Sequence, residues 1–192
     1  LKKLQGARYE AKDAAAKRGT EVHGYAEQLI MGKAVQVPDE LAGYVDSYVR
    51  FLDEFDVQPV LVEFSCVSYR LGYAGTADLV ADVRLPDYDE PQRLLMDIKT
   101  TRSGIFGETA LQLAAYRYAD KWIVDGEETE PLEVSFTAAI HVRADGYDLR
   151  PVDTDREQHK AFWYAQQVSR WAQTSRELVG SPIVPPTTST YQ

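Results

Sequence analysis

Asp97-Ile98-Lys99 closes the apolar run Leu94-Leu95-Met96. Side chains alternate along a strand, so Asp97 and Lys99 project to one face and Ile98 to the other. A carboxylate and an ammonium then stand side by side. Asp78 lies nineteen residues upstream of Asp97, inside a second strand-like run, Gly75-Thr-Ala-Asp-Leu-Val80. Two acids and a lysine converging from neighbouring strands are the parts of a divalent-metal site with a general catalyst beside it. Hard cations such as Mg²⁺ take oxygen ligands and keep several waters, so Asp78, Asp97 and the Ile98 backbone carbonyl make a partial shell. The Lys99 ammonium could position or deprotonate an attacking water, or stabilise charge on a phosphate. The bland alternative is two solvated acids at strand ends. Asp78 speaks against it, because Ala77-Asp78-Leu79-Val80 puts the acid where a central strand would carry an apolar residue.

Six more positions bear on the same chemistry. Glu63 interrupts the apolar run of the preceding strand. It is a further metal ligand, an acceptor behind the ligands, or an outward-facing residue on a half-solvated sheet. His23 follows Arg18-Gly19-Thr20 in a helical segment. An imidazole is a common metal ligand, although a lone helical His is more often a surface residue. Gln112 and Tyr116 are spaced i, i+4 and share one helix face, where both can donate to phosphate oxygens. Tyr116 alone reads as one more aromatic on an amphipathic helix. Arg102 and Arg117 are near these residues in sequence and could contact a phosphate backbone.

The elements that must position these residues follow from hydrophobic period. Lys2 to Met31 reads as a long helix, with Gly19 as an interruption and Thr20 as the cap of a second segment. Pro38-Asp39-Glu40 opens another helix, acidic at its positive end, with apolar positions from Leu41 to Phe55 at helical spacing. The period then changes to two. Pro59 to Tyr69 alternates, with Val60, Val62, Phe64 and Cys66 expected on one face. Strands are expected over Tyr73–Leu85 and Arg93–Thr100, a helix over Glu108–Val124, and strands over Leu132–Val142 and Tyr147–Pro151. The last two pair across Ala144-Asp145-Gly146. Asp153–Leu178 reads as the last helix, with Phe162, Trp163 and Trp171 assigned to core rather than to a subunit interface. The order αα-βββ-α-ββ-α predicts an α/β (α+β) fold, a central mixed β-sheet flanked by helices. One domain over 1–180 is expected: helices over 1–56, the sheet core with its helix over 57–151, and the last helix over 153–178. An irregular tail, 181–192, follows.

Bulk properties narrow the class. The chain has 192 residues, 44% hydrophobic and 27% charged, enough for one domain with a sizeable core. No apolar stretch approaches the ~20 residues that span a bilayer, so no membrane partner is expected. The chain opens on Leu1 rather than Met, as a trimmed or processed chain does. The single cysteine, Cys66, excludes an intrachain disulfide and suits a reducing cytoplasm. A net charge of −9 argues against a protein that coats nucleic acid, but not against an enzyme whose site holds a cation.

Five pieces stand in a telling order: Gly19-Thr-Glu-Val-His23; Glu63; Gly72-Tyr-Ala-Gly-Thr-Ala-Asp-Leu-Val80; Leu95-Met-Asp-Ile-Lys-Thr-Thr101; and Gln112-Leu-Ala-Ala-Tyr116. Together they resemble the PD-(D/E)XK nuclease superfamily, and most of all its RecB-type exonuclease branch. The resemblance covers residues 19–116 and implies a restriction-endonuclease-like core. It implies that His23, Asp78, Asp97 and the Ile98 carbonyl bind Mg²⁺ or Mn²⁺, as one or two ions, and that Lys99 is the catalytic lysine. Gln112 and Tyr116 would contact DNA near the scissile phosphate, and Glu63 would be the acid of the first core strand. The implied activity is metal-dependent hydrolysis of DNA by an exonuclease. The implied setting is cytoplasmic recombination or repair in a bacterium or phage-infected cell, beside a single-strand annealing or recombination protein. Ala77 stands where the pattern has its proline. The segment that precedes the His-bearing helix in that branch is truncated here. Some relatives carry a four-cysteine iron–sulfur cluster, which a chain with only Cys66 cannot form. Two alternatives remain: a structure-selective endonuclease of the same superfamily, and a catalytically silent interaction module, which the acidic surface and many tyrosines would suit.

Overall fold

A computed structural model describes residues 2–183 of the chain. Of the expected tail, 184–192 lie outside the described residues, and 181–183 carry no regular structure. The first helix, α1, runs unbroken over Lys2–Ile30. Thr20 is not a cap; its hydroxyl turns back to donate to the Ala16 carbonyl at 3.2 Å, and Gly19 stays helical. Helix α2, Asp39–Glu54, starts after Pro38 and buries Leu41, Tyr44, Val45, Tyr48 and Phe51 along one stripe.

Strands β1 (Gln58–Ser68), β2 (Tyr73–Val83) and β3 (Gln92–Lys99) form an antiparallel meander. Helix α3 covers Glu108–Arg117 only. The expected continuation to Val124 is a correction: Lys121–Val124 is strand β4 and Glu127–Thr129 is strand β5. Cys66 pairs with Trp122 and Val124 with Glu127, so Asp125-Gly126 is a two-residue hairpin turn. Both turn residues have positive φ, 53° and 83°, the geometry that an Asp-Gly pair supplies at least cost. Burial of Trp122 is achieved from a strand instead of a helix. Its ring packs on Phe64 at 4.7 Å and its indole N–H donates to the Tyr116 carbonyl. Strand β6 (Phe136–Arg143) starts later than Leu132 and pairs in parallel with β3; β7 (Gly146–Pro151) closes a hairpin with it. Helix α4 covers Arg156–Thr174, capped by the Asp155 carboxylate, and a 3₁₀ turn follows at Ser175–Leu178.

The result is a seven-stranded mixed sheet in the order β5-β4-β1-β2-β3-β6-β7, flanked by four helices. The observed order is therefore αα-βββ-α-ββ-ββ-α. Helices α1 and α2 cover one face, with Val22, Tyr48 and Phe51 against Leu79, Met96 and Ile140. Helix α3 covers the other, with Leu113 among Phe64, Cys66, Val80, Leu95 and Trp122. Two departures from strict alternation occur in β1. A bulge at Val60 shifts the register between Pro59 and Leu61, and Glu63 has φ 48°. Val62 consequently packs toward α1 and α2, while Leu61, Phe64 and Cys66 pack toward α3. The expected common face of Val60, Val62, Phe64 and Cys66 is thus split.

Helix α4 packs on α3 through His159, and Phe162 stacks edge-on against Tyr73 at 4.9 Å. Farther along, Gln166 and Arg170 reach the Gly72 carbonyl in the β1–β2 turn. That polar docking leaves Trp163 and Trp171 36% and 61% exposed, so neither belongs to the core as expected. Among the described residues no helix is long and apolar enough to cross a membrane.

On the sheet, Asp82 of β2 and Arg93 of β3 are directly opposed and joined by two parallel hydrogen bonds of 2.9 Å. Arg93 holds the Asp82 carboxyl below the usual carboxylate range. A depressed folded-state pKa adds stability above the unfolded pKa and loses it as pH falls through the folded one. Asp82→Asn should therefore cost about 0.5–1 kcal/mol at pH 7, given the partial exposure of the pair. The difference from the parent should shrink as pH falls below about 3.9, the unfolded-state value, in denaturant melts.

Candidate metal centre

The β2–β3 ladder runs from Val83↔Gln92 to Leu79↔Met96 and stops there. Past that point β3 stays in the sheet through its other edge, pairing with β6 as far as Lys99↔His141. The next residue of β2, Asp78, replaces a backbone acceptor with its side chain: Oδ2 accepts from the Ile98 amide at 2.6 Å. On the other side of the same peptide, the Ile98 carbonyl accepts from His23 Nε2 at 2.9 Å. One peptide unit is thereby fixed by an acid from β2 and an imidazole from α1.

That arrangement dictates the imidazole tautomer. A carbonyl can only accept, so the His23 proton sits on Nε2. Nδ1 then faces Asp78 Oδ2 at 3.6 Å. An unprotonated Nδ1 and a carboxylate so placed would repel, and either a proton on Nδ1 or a cation between the two removes the repulsion. Glu63 completes the group: His23, Glu63 and Asp78 each offer a ligand atom within 4.8 Å of the others. The donor set, one imidazole and two carboxylates, fits a divalent cation such as Mn²⁺ or Mg²⁺. Burial, then the nearby Asp78 carboxylate, raises the Glu63 carboxyl above its ordinary value. Those are the marks of crowded negative charge that a cation would relieve. Glu63 reaches the group from a left-handed backbone, φ 48°, a conformation costly for a non-glycine residue.

Asp97 is buried, 1% exposed, on the α3 side of β3. Burial and the Asp78 charge push its carboxyl up to about 6, against the opposing pull of Lys99. The Lys99 ammonium lies 2.5 Å from Asp97 Oδ2, but off the angle of a hydrogen bond, so that oxygen has a charge partner and no donor. Lys99 does donate to Gln112 Oε1 at 2.9 Å, and Gln112 Nε2 donates to the Tyr116 hydroxyl at 2.9 Å. The amide orientation follows, because only its oxygen can accept from an ammonium. The Tyr116 ring in turn rests on Gly75, where a Cβ would come within 2.8 Å of it. Burial raises the Tyr116 phenol to about 12, so it is a neutral donor at physiological pH.

These groups converge on a cavity of about 400 Å³ whose walls include His23, Asp78, Asp97, Lys99 and Gln112. The expected ligand set is rearranged in part. Glu63 joins His23 and Asp78 as the closest triplet, whereas Asp97 is engaged by Lys99 and the Ile98 carbonyl by His23. Gln112 holds Lys99 and lines the cavity, and Tyr116 holds Gln112 from behind. Arg117 is not brought to the cavity: its guanidinium reaches the Val134 carbonyl and Thr154 Oγ1. Arg102 is exposed and lines an adjoining cavity. Two contributors escaped the sequence reading. Arg18 lines the cavity one turn before His23, and its only signal was its place just ahead of Gly19. His141 donates to the Thr101 carbonyl at 2.8 Å and so fixes the strand end beside Lys99.

No protein-family model and no curated protein matches the sequence. Among solved structures, SSO0001 is similar at 12% identity and a TM-score of 0.35, over 76% of this chain and 64% of that one. The chain therefore spans less than two thirds of SSO0001. A protein of unknown function from Silicibacter pomeroyi, SPO1766, is similar at 17% identity and a TM-score of 0.24, over 79% of this chain and all of that one. Likeness at this level carries no argument about the site, which stands on its own residues.

Mn²⁺ at one hundred times its Kd should stabilise the chain by about 2.7 kcal/mol, read as a rise in Tm. Asp78→Asn keeps an acceptor for the Ile98 amide but removes a charge. It should leave the metal-free Tm no lower and abolish the Mn²⁺ shift; a shift of parental size in this variant would rule the centre out.

Proposed function

We propose that this chain is a Mg²⁺- or Mn²⁺-dependent DNA exonuclease with a PD-(D/E)XK-type core. The observation that carries the reading is convergence: His23 and Asp78 of the triplet with Glu63, and Asp97, Lys99 and Gln112 of the series that ends on Tyr116, line one cavity. A bound divalent ion would polarise a phosphoryl oxygen and offset the charge that develops on it. His23, Glu63 and Asp78 would hold that ion, with Asp97 beside them.

The rest of the chemistry belongs to the chain. Hydrolysis forms one bond from water oxygen to phosphorus and breaks the bond to the leaving nucleotide oxygen, which takes up a proton. Lys99 has three N–H donors; Gln112 accepts from one, the Asp97 carboxylate is paired with its charge, and the side chain lines the cavity. A phosphate oxygen or the attacking water can accept from it. Because the ammonium is held from two sides, little reorganisation is needed when charge develops. Its orientation depends on Gln112, and the Gln112 amide on Tyr116. The recombination setting, the annealing-protein partner and the cytoplasmic location rest on the family resemblance.

On end-labelled linear duplex and linear single strands, Mg²⁺ or Mn²⁺ should support digestion, with covalently closed circles left intact. Asp97→Ala and Lys99→Ala should each lower the rate by at least about a hundredfold without loss of folding. Cleavage of the circles would instead favour the endonuclease reading, and full activity in both variants would refute a nuclease centre here.

Gly75→Ala tests the positioning series from outside it. The added methyl must displace the Tyr116 ring. We expect kcat to fall about tenfold, the cost of losing one aligning hydrogen bond. Mn²⁺ affinity should be unchanged. An unaltered kcat would show that Tyr116 does not act through Gln112.

A further inference from the structure

Arg18 borders two cavities. It lines the metal cavity and also an adjoining one of about 360 Å³, whose walls carry Lys17, Tyr44 and Arg102. Its guanidinium lies over the Tyr44 ring at 5.6 Å, which fixes the plane of the group. Its Nε is buried and has no hydrogen-bond partner. Among the described residues no carboxylate lies within ion-pairing distance of it, although the chain carries thirty acids. Lys17, by contrast, is paired with Glu21 at 3.7 Å.

Folding gains little from such a residue. A buried N–H donor without an acceptor is a cost, and Tyr44 could be covered by an apolar side chain. A ligand explains it better. The two terminal NH₂ groups of a guanidinium form a parallel pair of donors that matches two oxygens of a phosphate. A phosphate at Arg18 would sit at the boundary of the two cavities, beside the metal cavity but apart from Lys99. Arg102 on the second cavity supplies further positive charge on a chain of net charge −9.

We infer that Arg18 binds the phosphate adjacent to the scissile one, on a nucleic-acid strand that passes from the metal cavity into the Lys17–Tyr44–Arg102 cavity. This rests on the nuclease reading for the position of the scissile phosphate. Arg18 is then a substrate-positioning group: it sets which linkage of the strand reaches Lys99 and takes no part in bond breaking.

The test reads charge against charge. The probe is a fluorescein-labelled single-stranded oligonucleotide, bound to the full chain in Ca²⁺, with one neutral methylphosphonate linkage placed in turn at each position near an end. For the parent chain, one position should weaken binding about tenfold. Arg18→Gln, which keeps a planar group over Tyr44, should bind the all-phosphate strand about tenfold more weakly and be indifferent to that linkage. Arg18→Lys should fall between them. If Arg18→Gln binds and discriminates as the parent does, the inference is wrong. If Arg18→Gln fails to fold, the parent and Arg18→Lys decide: no sensitive linkage in the parent, or equal sensitivity in both, overturns it. Adding Mn²⁺ separates the two claims. Arg18-dependent linkage sensitivity without any cleavage would sink the nuclease reading and keep the phosphate site. Normal cleavage with no Arg18 dependence would do the reverse.

Discussion

The hydrogen bond from the Ile98 amide to the Asp78 carboxylate is the constraint on which the centre depends. Adjacent antiparallel strands normally satisfy each other's amides, and a buried amide left without an acceptor is costly. Here β2 parts from β3 after Leu79↔Met96, and the Asp78 side chain takes over the acceptor's place. The parting makes room for side chains between strands. The substitution keeps β3 in register, because β6 still pairs with it on the far edge. An apolar residue at 78 could not do both. The acid is thus explained twice, as a structural acceptor and as part of a group with the donor set of a metal site.

Electrostatics then limits what the site can be without an ion. Glu63 and Asp97 are both pushed toward their protonated forms, by burial first and by Asp78 next. His23 Nδ1 faces the Asp78 carboxylate as well. Against this stands one ammonium, Lys99, on the Asp97 side. The asymmetry divides the cavity into an anionic end that favours a cation and an end where Lys99 supplies positive charge. A net charge of −9 is compatible with a nucleic-acid substrate on these terms, since the local field is set by Lys99, Arg18 and any bound ion.

Much of this was legible in the sequence, for a reason that can be stated. Asp97-Ile98-Lys99 and Gln112/Tyr116 depend only on the periods of a strand and a helix, which are fixed by backbone geometry. The structure places Lys99 and Gln112 in contact across that spacing. Features that depend on irregular backbone were hidden. Nothing in the run Val60 to Val67 announces that Glu63 adopts φ 48°, so the split in the faces of β1 was invisible. The end of α3 was a misreading of a visible signal. Apolar residues continue at helical spacing through Trp122, yet Asp125-Gly126 is a hairpin turn, and β4 needed to be a strand to leave β1 paired on both edges. Trp163 and Trp171 failed for a different reason. Aromatic character predicts burial only on average, and the polar contacts of Gln166 and Arg170 decide which side of α4 turns inward.

The Asp97–Lys99–Gln112–Tyr116 series shows how much of the site lies outside its reactive atoms. A lysine side chain has four rotatable bonds and is a poor catalyst unless something fixes it. In this fold that task falls to a helix on the same face of the sheet, through one amide whose two ends are both occupied. The phenol that holds the amide is kept neutral by burial, and its ring is seated on a glycine because no larger residue leaves room. Each member therefore constrains the next, from a backbone position in β2 to an ammonium at the end of β3. Loss of packing space at Gly75 therefore propagates through Tyr116 and Gln112 to Lys99.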